Sequence, residues 1–381
     1  MLTHWAISQQ GEHHKERGTP CQDFSMSKRI YIDSFDRDFV VAAIADGVGS
    51  CSESQRGSRV AVSAFMRCAE HNLQGAKRLL EKDVLSLLHF CFRYALRQVQ
   101  KTADRLKLPF IEFDSTLTGA IYDGSTLWFG HVGDDGCVAL CEDGNYAMVT
   151  KRHSGEEAHS LYPLRESGMW QFDRVHNVSS FVLMTDGVLD YCVDSSDRIY
   201  FPFLEPALTD VVESDADADA ARADWDEYFS GGGSYAQRFR DSVTDDITFV
   251  CVQNSDIVKT LPDIFFDVDR WTEETARRKS ERDKALYAKY REYKKQRAKS
   301  SENWDPGAPQ RSFDSDADEK LIVLEDTLKA AFEEGHSIGN ALRGKISDLL
   351  IPSGRIVPPD EQTEIDAVEV PLPEEGRDYS T

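Results

Sequence analysis

The chain has 381 residues, enough for one large domain with an appendage or for two domains. Hydrophobic residues make up 40%, which supplies a real core and excludes global disorder. The 44 basic and 67 acidic residues leave a formal charge of −23, which speaks against nucleic acid as a partner. Eight cysteines are scattered without a Cys-x-x-Cys pair, so reduced thiols are expected rather than a disulfide frame or a zinc site. The first residues lack the basic and apolar stretches of a secretion signal. The longest apolar run, residues 39–45, is far short of the ~20 residues a membrane helix needs. A soluble, cytoplasmic protein is expected.

Residues 5–8 read as a short strand and residues 13–18 as a polar loop. Residues 39–45 are apolar throughout and predict a strand buried on both faces. A helix is expected over 52–72, with Val60, Ala64 and Phe65 on one side. A second helix is expected over 77–106, where Leu80, Val84, Leu87, Leu88, Cys91, Ala95 and Val99 keep a 3.6-residue period. Beyond Ser115 the period shortens to that of strands. Residues 116–122 and 126–131 flank Asp123-Gly124, and residues 137–141 and 146–150 flank Glu142-Asp143-Gly144-Asn145, which predicts two hairpins. Residues 151–178 are polar and broken by glycine, as a flap over a site would be. Strands are expected at 181–184 and 247–252.

After about residue 254 the character changes. Residues 273–300 are dense in Lys and Arg, 303–318 read as a linker, 320–350 carry a helical apolar stripe, and 358–381 are acidic with prolines, as in a disordered tail. The expected organisation is a domain over 1–254 and a charged extension over 255–381.

The chemistry sits in aspartates at strand ends. Asp46-Gly47 closes the run 39–45, Asp186-Gly187 follows 181–184, and Asp245-Asp246 precedes 247–252; Gln22-Asp23 and Gly133-Asp134-Asp135 complete the set. A single Asp-Gly is an ordinary turn pair. Repetition at several strand ends points elsewhere, because a carboxylate at the tip of a buried strand is costly unless something neutralises it. Converging carboxylates would make the hard oxygen site that Mg2+ or Mn2+ prefers.

In this order, Gln22-Asp23, Ala45-Asp46-Gly47-Val48-Gly49, Asp114-Ser115-Thr116, Gly130-His131-Val132-Gly133-Asp134, Met184-Thr185-Asp186-Gly187 and Thr244-Asp245-Asp246-Ile247-Thr248 resemble the metal-dependent, type 2C serine/threonine protein phosphatases, the bacterial members most. The resemblance covers roughly residues 1–254. It implies an α+β fold: two stacked antiparallel β-sheets flanked by helices, here with a C-terminal helical and disordered extension. It also implies two Mn2+ or Mg2+ ions, with a third, weaker site. Asp46 would bridge both ions, the Gly47 carbonyl would bind one, and Asp186 and Asp245 would bind the other. Asp23 would order water, Asp134 would hold the third ion, and Asp246 would stand beside the ligands. A hydroxide bridging the ions would attack phosphorus of phosphoserine or phosphothreonine on a protein.

The arginine that grips phosphate in many members falls at Gly18 here, so Arg17, one place away, is the candidate, with Lys15, His13 and His14 as substitutes. Val48 stands where animal members carry a histidine that acts as general acid. His131 reads as a core histidine, and His153 in the flap is a minor candidate for a substrate contact. The run Asp215–Asp219 lacks the central glycine and final glutamate of a calcium loop and reads as a solvated acidic loop. The rival reading is a weak or inactive phosphatase fold that binds a phosphorylated partner. The extension is a candidate dock for the target or for a cognate kinase.

Overall fold

In the computed structural model the described residues are 1–76, 80–151, 162–194, 197–232, 234–262, 266, 267, 269–271, 273 and 277. They all lie in the first of two units, Met1–Ser347; the second is Asp348–Thr381. The elements run β1 (Leu2–Gln9), α1 (Glu12–Arg17), β2 (Phe24–Ile32), β3 (Arg37–Ala45), α2 (Ser54–Gln74), α3 (Glu81–Leu106), β4 (Leu117–Tyr122) and β5 (Leu127–Val132). They continue with β6 (Gly136–Cys141), β7 (Tyr146–Met148), β8 (Gln171–Val175), β9 (Val178–Met184), α4 (Asp186–Cys192), α5 (Phe201–Thr209), α6 (Asp215–Phe229), α7 (Ser234–Ser242) and β10 (Ile247–Asn254).

The strands form two five-stranded sheets, ordered β1-β10-β9-β6-β7 and β2-β3-β4-β5-β8. Every pairing is antiparallel. This is the α+β sandwich expected. The unbroken apolar run of β3 has a simple cause: both its faces are buried. Val40, Ala42 and Ile44 point between the sheets toward Phe181, Leu183 and Val250. Val41, Ala43 and Ala45 point the other way, into a core with Phe65 of α2 and Phe92 of α3. On the far side, Val182, Met184 and Phe249 pack under α4, α5 and α7 through Leu189, Leu204 and Phe239. The helices thus fix which strand ends remain open.

Several segments differ from expectation. Residues 13–18 are not a loop; most of them form α1, and Gly18 stops it at φ 66°. So short and polar a helix has no apolar stripe to read. The acidic run 215–219 is likewise no loop: it is the first turn of α6, where Ser214 Oγ accepts from Asp217 N–H at 3.1 Å. Acid in a first turn suits the positive end of the helix. β2 is a sheet edge whose exposed residues are Met26, Lys28 and Tyr31, and β8, inside the supposed flap, is the opposite edge paired to β5. His153 and residues 152–161 lie outside the described residues, as do the basic stretch 273–300, the linker 303–318, the stretch 320–350 and the acidic tail, save residues 273 and 277. None of the eight cysteines is in a disulfide. No helix among the described residues is long and apolar enough to cross a membrane.

The start of the extension packs back on the first sheet's helices. Trp271 is buried and stacks on Tyr200 at 5.7 Å between ring centroids, with Phe266 5.1 Å from the same tyrosine. Lys259 Nζ donates to the Asp210 carbonyl at 3.0 Å. Trp271→Ala is therefore expected to cost about 3 kcal/mol, and to lower Tm by roughly 6–12 °C. Scanning calorimetry checks this; an unchanged Tm would mean the aromatic stack adds nothing.

Candidate metal centre

One end of the sandwich collects the aspartates. Asp46 follows β3 directly, and its backbone is tied on both sides: its N–H donates to Thr116 Oγ1 at 2.7 Å and its carbonyl accepts from Thr116 N–H at 2.8 Å. Asp134 lies in the turn by which the chain leaves β5 in one sheet for β6 in the other. Asp186 opens α4 immediately after β9. Carboxylate oxygens of Asp46, Asp134 and Asp186 lie within 4.8 Å of one another. Asp245 stands just before β10, which pairs with β9, and a Cβ added at Gly187 would lie 3.7 Å from Asp245 Cβ. Asp23 precedes β2 and sits level with the end of β3, since Phe24 pairs with Ala45. Thr185 Oγ1 donates to Asp23 Oδ2 at 2.7 Å.

The glycines answer to crowding. A Cβ at Gly47 would lie 2.8 Å from the Gln22 carbonyl oxygen and 2.9 Å from the Ser54 carbonyl carbon. At Gly187 it would lie 2.0 Å from the Asp246 carbonyl oxygen. Backbone cannot give way at such distances, so both positions need glycine whatever their neighbours bind.

So many acids in one place raise each other's affinity for protons. Enclosure by protein first, then the charges of Asp23, Asp186, Asp245 and Asp134, push Asp46 well above the usual carboxylate range. Enclosure and then Asp246 do the same to Asp23. Enclosure and then Asp186 push Asp245 up to about 7. Divalent cations would remove this repulsion, and a donor set of carboxylate and carbonyl oxygens is what Mg2+ and Mn2+ favour. The residues present fit such ions.

Asp246 does a different job. Its Oδ1 accepts from Gly11 N–H at 2.7 Å and lies 2.8 Å from His14 Nδ1; its Oδ2 accepts from Gln22 N–H at 2.6 Å. Burial acts to raise its pKa, but the bond and charge of His14, with the two backbone amides, outweigh it and hold the carboxyl low. For His14, burial works downward, yet the hydrogen bond and charge of Asp246 leave its pKa raised. Asp246 N–H donates to Asp245 Oδ1 at 2.9 Å, so this junction also orients its neighbour.

The phosphate grips proposed from sequence separate here. His14 is held by Asp246, and Lys15 pairs with Glu12 at 2.8 Å. Arg17 is exposed at the end of α1. His131 is fully buried with Nδ1 2.8 Å from Thr118 Oγ1, as a core histidine would be. Arg165 went unread in the sequence. Its Nε donates to both Asp114 oxygens, at 2.9 and 2.8 Å. The two residues are 51 positions apart, and no spacing rule links them.

A family model described as Protein phosphatase 2C matches residues 10–223. This chain belongs to the protein phosphatase 2C family. Within this protein phosphatase 2C chain the match takes in Asp23, Asp46, Gly47, Asp134 and Asp186 and ends before Asp245. Solved structures similar to it include the serine/threonine phosphatase Stp1 from Staphylococcus aureus, 13% identical, with TM-score 0.44 over 66% of this chain and 95% of that one. A serine/threonine phosphatase from Mycobacterium tuberculosis, PstP/Ppp, is 16% identical, with TM-score 0.43 over 68% and 99%. The catalytic domain of PstP in complex with two manganese ions is 18% identical, with TM-score 0.44 over 66% and 97%. No curated protein matches the chain.

Proposed function

We propose that this protein phosphatase 2C chain hydrolyses phosphoserine and phosphothreonine on proteins at a two-cation site for Mn2+ or Mg2+. The observation that carries the reading is the convergence of the Asp46, Asp134 and Asp186 carboxylates within 4.8 Å at one end of the sandwich. Asp46 would be shared by both ions, with the Gly47 carbonyl beside it and Asp186 and Asp245 on one of them. Asp134 would hold a third, weaker ion. The cations would make a water nucleophilic at neutral pH and offset charge on the phosphoryl oxygens.

The protein's own groups position these carboxyls. Thr185 fixes the Asp23 carboxyl, which would orient water, and the Asp246 amide fixes Asp245. Arg17 is the proposed grip on the phosphate, at the end of a helix whose position Asp246 sets through His14 and Gly11. A cysteine nucleophile is not part of the scheme. Burial pushes the Cys51 thiol up to about 12 and raises Cys21 further, so neither is a thiolate at neutral pH. The phosphatase domain is proposed as residues 1–254, with the charged extension 255–381 available for contacts with the phosphorylated protein or a kinase.

Turnover of an aryl phosphate and of a phosphoserine peptide, measured with Mn2+ and again after chelation, tests the reading. Hydrolysis that needs Mn2+ and stops on chelation is expected. Tight Mn2+ binding without turnover of either substrate would favour a binding module instead.

A further inference from the structure

Asp135 is fully buried beside Asp134, and the chemistry proposed above gives it no role. Its Oδ2 accepts from Thr116 Oγ1 at 2.5 Å, while its Oδ1 has no hydrogen-bond partner among the described residues. A buried carboxyl with one idle oxygen is a costly way to fill space, and a small apolar residue would do that better. Its partner Thr116 is the residue that grips the Asp46 peptide at two points, through its amide and its hydroxyl oxygen.

A threonine hydroxyl both donates and accepts, and its proton turns to suit its surroundings. With Asp135 taking the proton, a lone pair of Thr116 Oγ1 is kept for the Asp46 N–H. Without that acceptor the hydroxyl could turn away, and the partly buried Asp46 amide at the head of the acid cluster would lose its partner. The turn is shaped for the contact. Gly133 has φ +120°, and a Cβ there would lie 2.5 Å from Thr116 Cγ2, so the loop closes directly on the threonine.

We propose that Asp135 is a positioning residue that acts through Thr116 to hold the Asp46 backbone, and so aims the Asp46 carboxylate at the cations. The proposal rests on the reading of Asp46 as a metal ligand. It also ties together the Asp46 and Asp134 segments, because one turn carries Asp134 and the acceptor for Thr116.

Isothermal titration of the full chain with Mn2+, paired with melting of the metal-free protein, tests the proposal. Asp135→Ala and Thr116→Val should each weaken Mn2+ binding about 10–100-fold, as loss of a group supporting a metal ligand does. The double variant should bind within about twofold of the weaker single, because both changes break one chain. Asp135→Asn and Thr116→Ser, which keep an acceptor and a hydroxyl, should stay within about twofold of wild type. Wild-type affinity in both disruptive variants, or losses that multiply in the double, would overturn the proposal. If Asp135→Ala does not fold, Thr116→Val against Thr116→Ser decides: equal Mn2+ affinity overturns the relay. Failure of the wild type itself to bind Mn2+ would instead overturn the functional reading beneath it.

Discussion

Asp46→Asn is expected to lower turnover of an aryl phosphate in saturating Mn2+ by at least about 10^3-fold, near 4 kcal/mol of barrier. Asp46 is the acid on which the others converge: its pKa is raised by Asp23, Asp186, Asp245 and Asp134 after enclosure itself. Its backbone is held from both sides by Thr116, so the substitution changes charge with little change in position. Removing one negative charge from a crowded acid cluster should leave the metal-free fold as stable as before, or more stable. Loss of activity with an unchanged or higher Tm is therefore the signature expected. An Asn variant within tenfold of wild type would remove Asp46 from the chemistry.

Asp246→Ala is expected to cost about 3–5 kcal/mol, the range for breaking a buried charged junction. Two backbone donors, the Gly11 and Gln22 amides, and the His14 ring as an ion-pair partner meet on its carboxyl. Removing it leaves two buried amides without their acceptor and an imidazole without its counter-charge. The corresponding fall in Tm is roughly 10 °C for a domain of this size. Asp246→Asn keeps acceptor capacity but sets an amide donor against donors, so a smaller loss is expected. Scanning calorimetry of metal-free protein measures both. An Ala variant melting with wild type would show that the junction does not hold α1 and the Asp23 segment in place.

The middle of the sandwich was legible in the sequence because its strands are buried on both sides. Residues 39–45, 181–184 and, apart from Thr248, 247–252 carry apolar side chains without alternation for that reason. The two hairpins were legible because Gly124 at φ 99° and Gly144 at φ 85° mark turns that other residues adopt only with strain. The edges were not: β2 and β8 are only partly buried and lack a clean apolar run. α1 escaped because its six polar residues carry no apolar stripe, and contacts that seat it, such as His14 with Asp246, span 232 positions.

The acids themselves were readable from their place at strand ends. Their grouping was not. Asp46 belongs to one sheet and Asp186 and Asp245 flank strands of the other, so they meet only through the stacking of the two sheets. The closeness of Asp134 to Asp46 depends on where the chain crosses between the sheets after β5. Thr116 with Asp135, and Arg165 with Asp114, make contacts across the fold that no local pattern encodes.

A crystal soaked in Mn2+ and measured at the manganese absorption edge tests the central claim most directly. Two anomalous peaks sharing the Asp46 carboxylate, one of them also held by Asp186 and Asp245, are predicted. A phosphatase-active crystal with no manganese at Asp46 would contradict the account.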